Sequence, residues 1–358
     1  MRIAIVGGGP AGLVAALYLS TLRGAEIVIH EKQQKPVYSA SLCAEGVSLA
    51  ILSRLEKDTS FDSSPYISRR VRGIRVIFPN GKDGYIAQAG ATLDRTAWQQ
   101  GMAAFLEKKD VLFNWGSAIT DPAGTDCEIL IGADGPASKI RSAIGGRADM
   151  VPAVQYRMRM DRPGDFLEFF TGEMFYSGSH NDGYGWIFPK RDCFNVGVKG
   201  NFPALDRFLE AFDIKGEILE KAGAPIAVNG TVWEKTQSGM KIFLTGDAAG
   251  LTNPVTCGGL SPAIACAGFI RQAVIRGEAG TYTSLIRRHG YDPAYWNRVH
   301  ALFYPRQQIL NQIGEILNGG RANPPSPAAM LRMFLHPAAG KHCLVMLPSL
   351  RRLKNVSW

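Results

Sequence analysis

The chain has 358 residues, of which 46% are hydrophobic and 20% are charged, and its formal net charge is +9. This length and composition are typical of a globular protein with a sizeable core. The chain would form two domains, or one large domain with an inserted segment. The six cysteines form no CxxC pair and no zinc-ligand spacing, which argues against a zinc site and predicts free thiols in a reducing compartment.

The N-terminal stretch RIAIVGGGPAGLVAALYL predicts a buried strand, a glycine turn and a helix. Gly7, Gly9 and Gly12 have the GxGxxG spacing, which permits a tight turn, close approach of backbone to a pyrophosphate, and packing of helix on strand. A second strand, EIVIHEK, ends in Glu31, nineteen residues past Gly12, where an acid can bind the ribose of an adenosine. We therefore expect a dinucleotide-binding unit. Three glycines and a proline interrupt the apolar run, which argues against a signal peptide or a membrane span.

Two later stretches repeat the pattern of an apolar strand that ends in a glycine turn. ILIGADGPASKIR, residues 129 to 141, places Asp134 after such a strand. KIFLTGDAAGLTNPVTCGGLSPAIACAG, residues 241 to 268, places Gly246 and Asp247 after another strand and continues through a glycine loop into a helix of small residues. Both stretches predict a close approach of backbone to a ligand.

Between these stretches, Tyr184, Trp186 and Phe188 alternate in the segment YGWIFP, which ends at Pro189. A spacing of two places the three rings on one face of a strand, and the proline predicts that the strand ends there or lies at a sheet edge. Alternation alone leaves two interpretations open, an ordinary buried core and the wall of a ligand cavity.

The C-terminal part of the chain is basic. After Glu315 the sequence has six basic and no acidic side chains, and its apolar pieces MLRMFLH and CLVMLPSLRRL would suit contact with anionic lipid headgroups. A solvated basic face on a helical C-terminal unit explains the same pattern. The basic residues lack the aromatic interleaving of a nucleic-acid site, so no nucleic-acid partner is expected. Since no run is long enough to span a bilayer, we expect a cytoplasmic protein or one attached to a membrane surface.

The three glycine stretches, in this order, resemble the fingerprints of the flavoprotein family that includes aromatic hydroxylases, halogenases and geranylgeranyl reductases. The resemblance implies FAD, with Asp247 bound to the ribityl chain and the N-terminus of the following helix near N1 and O2 of the flavin. Arg95 matches the arginine that opens a helix over the cofactor, and Ala118 matches the strand edge beside the adenine. Only one GxGxxG has the required context, so no second nucleotide domain for NADPH is expected. The implied cofactor-binding residues are Gly7, Gly9, Ala11, Gly12, Glu31, Cys43, Ala44, Arg95, Ala118, Asp134, Gly246, Asp247, Gly258, Gly259 and Leu260.

Two short stretches favour the geranylgeranyl reductases within this family. SLCAEGVS, residues 41 to 48, resembles their CxxG loop with Ala44 in place of the usual glycine, and YGWIFPK followed by NVGVKG resembles their YxWxFP strand and its partner strand. The loop TCGGLSPAIACA and the trimmed segment 50 to 90 depart from the family pattern, which leaves the size of the substrate open. The implied catalytic residues are Cys43 and Gly46, and the implied substrate-binding residues are Tyr184, Trp186, Phe188 and Pro189.

The implied reaction is the reduction of isolated C=C bonds of a polyprenyl lipid by hydride from N5 of reduced FAD plus a proton. Aromatic faces in a dry pocket would stabilise the carbocation-like centre that develops. Cys43 would donate the proton or act through redox chemistry. The electron donor is left open among NADPH, ferredoxin and others. The alternatives are a flavin monooxygenase or halogenase and, from another class, a non-catalytic electron carrier or lipid binder.

The order of these pieces predicts an α/β protein. A Rossmann-like FAD-binding domain with a parallel sheet would be accompanied by a mostly antiparallel substrate-binding β-sheet (cap) domain and a helical, basic C-terminal segment with a proline-rich break at 324 to 327. The predicted boundaries are 1–65, 91–150 and 241–290 for the FAD-binding domain, 66–90 and 151–240 for the substrate-binding domain, and 291–358 for the C-terminal segment.

Overall fold

A computed structural model describes residues 1–35, 43–175, 184–303, 307–318 and 320–323 of the chain. The strands are β1 (Arg2–Val6), β2 (Glu26–Glu31), β3 (Gly46–Ser48), β4 (Ile67–Val71), β5 (Gly73–Ile77), β6 (Asp83–Ile86), β7 (Gly90–Leu93), β8 (Leu112–Trp115), β9 (Ile129–Gly132), β10 (Asp149–Arg159), β11 (Phe166–Phe170), β12 (Gly185–Pro189), β13 (Phe194–Lys199), β14 (Glu217–Val228), β15 (Glu234–Gln237), β16 (Met240–Leu244) and β17 (Arg321–Asn323). The helices are α1 (Pro10–Leu19), α2 (Leu49–Thr59), α3 (Arg95–Glu107), α4 (Lys139–Ala143), α5 (Phe202–Ala211), α6 (Leu260–Arg276), α7 (Thr281–Arg288), α8 (Pro293–Phe303) and α9 (Gln307–Leu317).

The first sheet has the strand order β15-β16-β9-β1-β2-β8. Its strands are parallel except for the antiparallel β15–β16 pair. The central strand β1 has the apolar sequence RIAIV because both of its faces are covered, as is usual for parallel sheets. β1 pairs with β2 on one side and with β9 on the other, so the chain order reverses at β1 and a crevice opens beyond the carboxyl ends of these strands.

Helices α1 and α6 pack against each other in the main hydrophobic core. Pro10 occupies the first turn of α1, where a missing N–H costs no hydrogen bond, and the helix is buried from Gly12 to Leu19. α6 has the small-residue sequence that the glycine stretch predicted, and it is buried from Leu260 through Ile270. Both helices begin beside the crevice, with glycine as the N-cap in each case.

The second sheet has the order β14-β10-β13-β12-β11-β5-β6-β17 and is mostly antiparallel, with parallel pairs only at β11–β5 and β17–β6 among the described strands. β12 lies between β11 and β13. Pro189 is the last residue of β12, so the proline ends the strand as predicted, but the strand is interior rather than an edge. Ile187 packs into a core on one face, while Tyr184, Trp186 and Phe188 belong to a cluster on the other face.

The predicted α/β fold class, with one parallel and one mostly antiparallel sheet, is confirmed. The domain boundaries stay a prediction. Because β15 pairs with β16 in a hairpin, residues 234–237 lie in the first sheet, although the sequence placed them in the substrate-binding segment. In the C-terminal segment, α8 and α9 are helical as expected, and β17 adds a strand beside β6.

The proline-rich break at 324 to 327 and the basic apolar pieces lie outside the described residues.

A third, small sheet has the order β3-β7-β4. Within the described ranges, no helix combines the length and apolar character needed to cross a membrane.

Candidate active site

A cavity of about 450 Å³ lies between the carboxyl edge of the first sheet and one face of the second sheet. The first sheet and its helices contribute the glycine turns after β1, β9 and β16. The second sheet contributes aromatic side chains from β11 and β12. The loop that precedes β3, the loop that precedes α6, and residues of α3, β10, β13 and β14 also line the cavity.

The glycine turn after β1 fits an anionic ligand group. Gly7 has a φ of +103°, and a Cβ there would lie 2.3 Å from the carbonyl oxygen of Ala133, while a Cβ on Gly12 would lie 1.9 Å from the carbonyl oxygen of Gly7. These two glycines are therefore needed for the turn and the packing. A Cβ on Gly9 would meet nothing within 4 Å, and Gly9 lines the cavity at the N-terminus of α1. The open backbone and the helix dipole together suit a pyrophosphate.

Glu31 braces this turn. Its Oε2 accepts a hydrogen bond of 2.7 Å from the Gly8 amide, and its Oε1 accepts one of 2.8 Å from the Gln33 amide. The side chain is buried and does not line the cavity. Each carboxylate oxygen has a further lone pair, so these bonds are compatible with a ribose hydroxyl as an additional donor.

Asp247 and Arg95 form the polar end of the cavity, and Arg141 lies behind Asp247. The Asp247 Oδ1 accepts a hydrogen bond of 2.9 Å from Thr252, and Arg141 donates to the carbonyl oxygens of Asp247 and Ala248, each at 3.1 Å. Burial raises the pKa of Asp247, and the opposing contributions come from Thr252, a backbone amide and the two arginines Arg95 and Arg141.

Arg95 also faces the cavity. It opens α3, is buried, and donates from Nη2 to Gln99 Oε1 at 2.9 Å. Its buried Nε finds no hydrogen-bond acceptor within the described part of the chain. A buried donor of this kind is costly unless a ligand supplies an acceptor. Together with the open turn at Gly9 and the acceptor Asp247, this donor fits the phosphate and polyol groups of a dinucleotide.

Two rings of β12 and the ring that precedes it form an aromatic wall, defined here as Tyr184, Trp186 and Phe188, and all three are buried and line the cavity. Phe169 of β11 contacts this wall, with ring-centroid distances of 5.2 Å to Tyr184 and 5.1 Å to Phe188. The polar atoms of the wall are satisfied, since Trp186 donates to Gln155 at 3.3 Å and the Tyr184 hydroxyl donates to the carbonyl oxygen of Thr256. The wall therefore presents apolar ring surface to the cavity.

The segment Cys43–Gly46, called the cysteine loop, lies opposite the glycine turns and packs on the wall. All four of its residues line the cavity. The Glu45 amide donates to Cys43 Sγ at 3.2 Å. A Cβ on Gly46 would lie 2.9 Å from Cε2 of Phe188, so the loop approaches the wall as closely as a glycine allows. The half-buried Cys43 thiol thus lies between the aromatic wall and the crevice of the first sheet.

Residues 5–55 match the family of NAD(P)-binding Rossmann-like domains. A digeranylgeranylglycerophospholipid reductase of Thermoplasma acidophilum is 29% identical over 307 residues, which cover 73% of this chain and 74% of that protein. Digeranylgeranylglycerophospholipid reductase 1 of Methanopyrus kandleri is 28% identical, and the match covers 88% of this chain and 90% of that protein. The solved structure of a geranylgeranyl bacteriochlorophyll reductase-like protein from Thermoplasma acidophilum superimposes with a TM-score of 0.77 over 98% of both chains, at 21% identity. Over most of its length, the chain is similar to geranylgeranyl and digeranylgeranylglycerophospholipid reductases.

These similarities confirm the resemblance inferred from the cysteine loop and the YxWxFP strand. A flavin-dependent halogenase also superimposes, with a TM-score of 0.62 at 18% identity, over 96% of this chain and 69% of its own. That likeness is one of fold. The shared fold and the reductase relatives together indicate a flavin cofactor and an oxidoreductase.

The cavity brings together most of the residues that the sequence motifs singled out. Those in its lining are Gly9, Ala11, Cys43, Ala44, Gly46, Arg95, Tyr184, Trp186, Phe188, Gly246, Asp247, Gly258, Gly259 and Leu260. The predicted residues that are not in its lining are Gly7, Gly12, Glu31, Ala118, Asp134 and Pro189. The roles assigned to all of these residues stay predictions.

Two of the residues outside the lining have contacts that explain their position, and a third is exposed. Asp134 caps α4, because its Oδ2 accepts a hydrogen bond of 2.7 Å from the Lys139 amide. Pro189 ends β12, and its carbonyl oxygen accepts a hydrogen bond of 2.6 Å from Thr92. Ala118 is exposed in the segment that follows β8.

The lining also contains residues that sequence reasoning missed, among them Glu45, Phe169, Lys199 and Cys257. Burial raises the pKa of the Cys257 thiol, and Lys199 opposes that shift. A signal for Lys199 was present in NVGVKG, because a strand paired beside the wall exposes every second residue to the same cavity. That signal can be used only when the register between β12 and β13 is known, and the sequence alone does not determine this register.

Proposed function

We propose that the chain is an FAD-dependent reductase that saturates isolated C=C bonds of a polyprenyl lipid. One observation supports this most directly: a single cavity joins an aromatic wall, a cysteine loop and two glycine-capped helix N-termini. The names of the relatives, digeranylgeranylglycerophospholipid reductases, support an isoprenoid lipid as the substrate class.

The residues present fit FAD as the flavin. Gly9 and the N-terminus of α1 would hold the pyrophosphate, Asp247 would accept hydrogen bonds from the ribityl hydroxyls, and Arg95 would donate to a polar group of the cofactor. Gly258 and Gly259, at the N-terminus of α6, would lie beside the pyrimidine end of the flavin, where positive helix dipole stabilises negative charge. Bound FAD would supply hydride chemistry, which no side chain can provide.

The aromatic wall would bind the prenyl chain and exclude water. Reduction of an alkene without a neighbouring carbonyl builds positive charge on carbon, and ring faces attract cations through their quadrupole. The wall residues have relative exposures of only 3–6%, so water has little access to their rings. Cys43 lies at the edge of this surface and would hold the proton that the second alkene carbon receives.

The reductant would come from outside the chain, from NADPH, ferredoxin or another donor. A substrate of this class resides in lipid bilayers, and the net charge of +9 supports approach to an anionic membrane surface. We therefore place the enzyme at such a surface while it acts.

The test is anaerobic. The bound flavin is reduced chemically, a geranylgeranylated lipid is added, the oxidised flavin spectrum is followed and the product is weighed. Reoxidation with two hydrogens gained per double bond is the expected result. Reoxidation only after oxygen is admitted, with oxygen or halogen found in another acceptor, would overturn the proposal in favour of a monooxygenase or halogenase. Reversible flavin redox chemistry without any product would favour an electron carrier.

A further inference from the structure

The hairpin that carries the aromatic wall also holds the cysteine loop. Asn195 of β13 is the register partner of Phe188 in β12, so its side chain leaves the same face of the sheet as the wall. The fully buried Asn195 amide donates from Nδ2 to the carbonyl oxygen of Ala44 and to Oε2 of Glu45, each at 3.2 Å. One side chain thus binds both the backbone and a carboxylate of the cysteine loop.

Lys190, at the turn of the same hairpin, forms an ion pair with Glu45 and donates to the carbonyl oxygen of Leu93 at 3.2 Å. The side chains of this pair are only 11% and 8% exposed. A buried ion pair resists the loss of either partner, because the remaining charge would be desolvated without compensation. The pair therefore ties the cysteine loop to β12 and to the end of β7.

Glu45 itself has an unusual backbone conformation. Its φ is +69°, in the left-handed region that non-glycine residues seldom occupy. Such a conformation persists where the surroundings hold it in place. Here the Leu93 amide binds the Glu45 carbonyl oxygen at 3.0 Å, and the Glu45 amide points to Cys43 Sγ at 3.2 Å. The conformation of Glu45 and the location of the sulfur are therefore coupled.

We propose that Asn195 and Lys190 are positioning residues, which act through Glu45 to hold the Cys43 thiol at a fixed place against the cavity. Neither residue lines the cavity, so their effect on the reaction is indirect. The kinetic consequence rests on the proposed function, whereas the fixed location of the thiol does not. A measurement on the thiol alone therefore separates failure of this proposal from failure of the proposed function.

The test compares the alkylation rate of Cys43 by iodoacetamide in the purified holoprotein and in an Asn195→Ala variant, followed by mass spectrometry of the Cys43 peptide. Loss of the two hydrogen bonds should free the loop and raise the rate roughly fivefold or more, with flavin content unchanged. If the prenyl reductase activity is present, kcat should fall about 10- to 100-fold while KM changes less than about twofold, because the wall is intact. Lys190→Met should act in the same direction.

The control is Asn201→Ala, which removes the N-cap of α5, where Asn201 Oδ1 accepts a hydrogen bond of 3.0 Å from the Ala204 amide. It lowers stability without touching the cysteine loop, so its Cys43 alkylation rate should match that of the unaltered protein. If Asn195→Ala fails to fold, the isosteric Glu45→Gln variant, which removes the charge but keeps the shape, is measured instead. Folded variants in which the Cys43 alkylation rate equals that of the unaltered protein would overturn the proposal, whether or not the reductase activity is present.

Discussion

Gly197 of β13 lies directly beneath the indole ring of Trp186 in β12. The two residues are register partners, and a Cβ added at Gly197 would lie 2.2 Å from Cζ2 of Trp186. It would also lie 2.6 Å from the carbonyl oxygen of Val154 in the next strand, β10. The absence of a side chain at position 197 is therefore what allows the central ring of the wall to lie flat against the sheet.

Gly197→Ala should displace Trp186 and narrow the cavity. Overpacking of this kind costs about 1–3 kcal/mol of unfolding free energy. We expect weaker binding of a prenyl lipid with normal flavin content, measured from the lipid-induced change in the flavin spectrum. Gly124→Ala is the matched control, because a Cβ there would meet nothing within 4 Å. Equal lipid affinity in the two variants would show that Trp186 has room to move.

Trp186→Ala removes the largest ring of the wall. We expect the Kd for a geranylgeranylated lipid to rise roughly 10- to 100-fold, because burial of a large apolar side chain contributes about 1.5–3 kcal/mol. Flavin content should stay normal, since the ring faces the substrate side of the proposed site. Phe212→Ala is the control, because Phe212 packs against Phe170 and Phe208 on the opposite face of the sheet. Unchanged lipid affinity in Trp186→Ala would mean that the three rings are ordinary core residues with no role in lipid binding.

Cys43→Ser should leave the flavin bound and lower the rate at which a prenyl lipid reoxidises the reduced flavin. Loss of a positioned proton donor costs about 10²–10⁴-fold in rate. Cys193→Ser is the matched control, because Cys193 is also a half-buried free thiol but does not line the cavity. The two rates are compared in single-turnover, anaerobic experiments. A Cys43→Ser rate equal to that of Cys193→Ser would remove the thiol from the mechanism.

The sequence was sufficient for those parts of the molecule that depend on local pattern. GxGxxG after an apolar strand predicts the turn at Gly9, and alternation in YGWIFP predicts rings on one face, because both follow from geometry within a few residues. Glu45, Lys190 and Asn195 were not found in this way. Glu45 and Asn195 are 150 residues apart in the chain, and their contact requires the β12–β13 register and the packing of the cysteine loop on the sheet.

Pro189 shows a second limit. A proline lacks the N–H that an interior strand requires, so the sequence favoured either a strand end or a sheet edge. The structure satisfies the rule by placing Pro189 at the last position of an interior strand. Local pattern thus predicted the end of the strand, whereas its place within the sheet depended on partners far away in the sequence.

Asp247 gives the protein a pH dependence whose sign follows from its burial. Burial raises the pKa of Asp247 above its ordinary value of 3.8, so the native state binds a proton more readily than the unfolded chain. In the pH range between these two pKa values the native state holds more protons, and the free energy of unfolding therefore falls as pH rises. Above that range the carboxylate is ionised in both states, and its burial keeps the free energy of unfolding of the flavin-free protein lower than it would be at low pH.

Asp247→Asn should remove this cost and weaken the flavin site. In the flavin-free protein, the decline of unfolding free energy as pH rises above the ordinary Asp pKa should become shallower, measured by urea denaturation. Loss of a charged acceptor for the ribityl hydroxyls should weaken FAD binding roughly 10- to 100-fold, since hydrogen bonds to charged groups contribute about 1.5–3 kcal/mol. Asp149→Asn is the control, because Asp149 is exposed and lies outside the cavity lining. If FAD affinity were unchanged in Asp247→Asn, the carboxylate would serve the fold of the β16 turn, where it accepts the Thr252 hydroxyl, and not the cofactor.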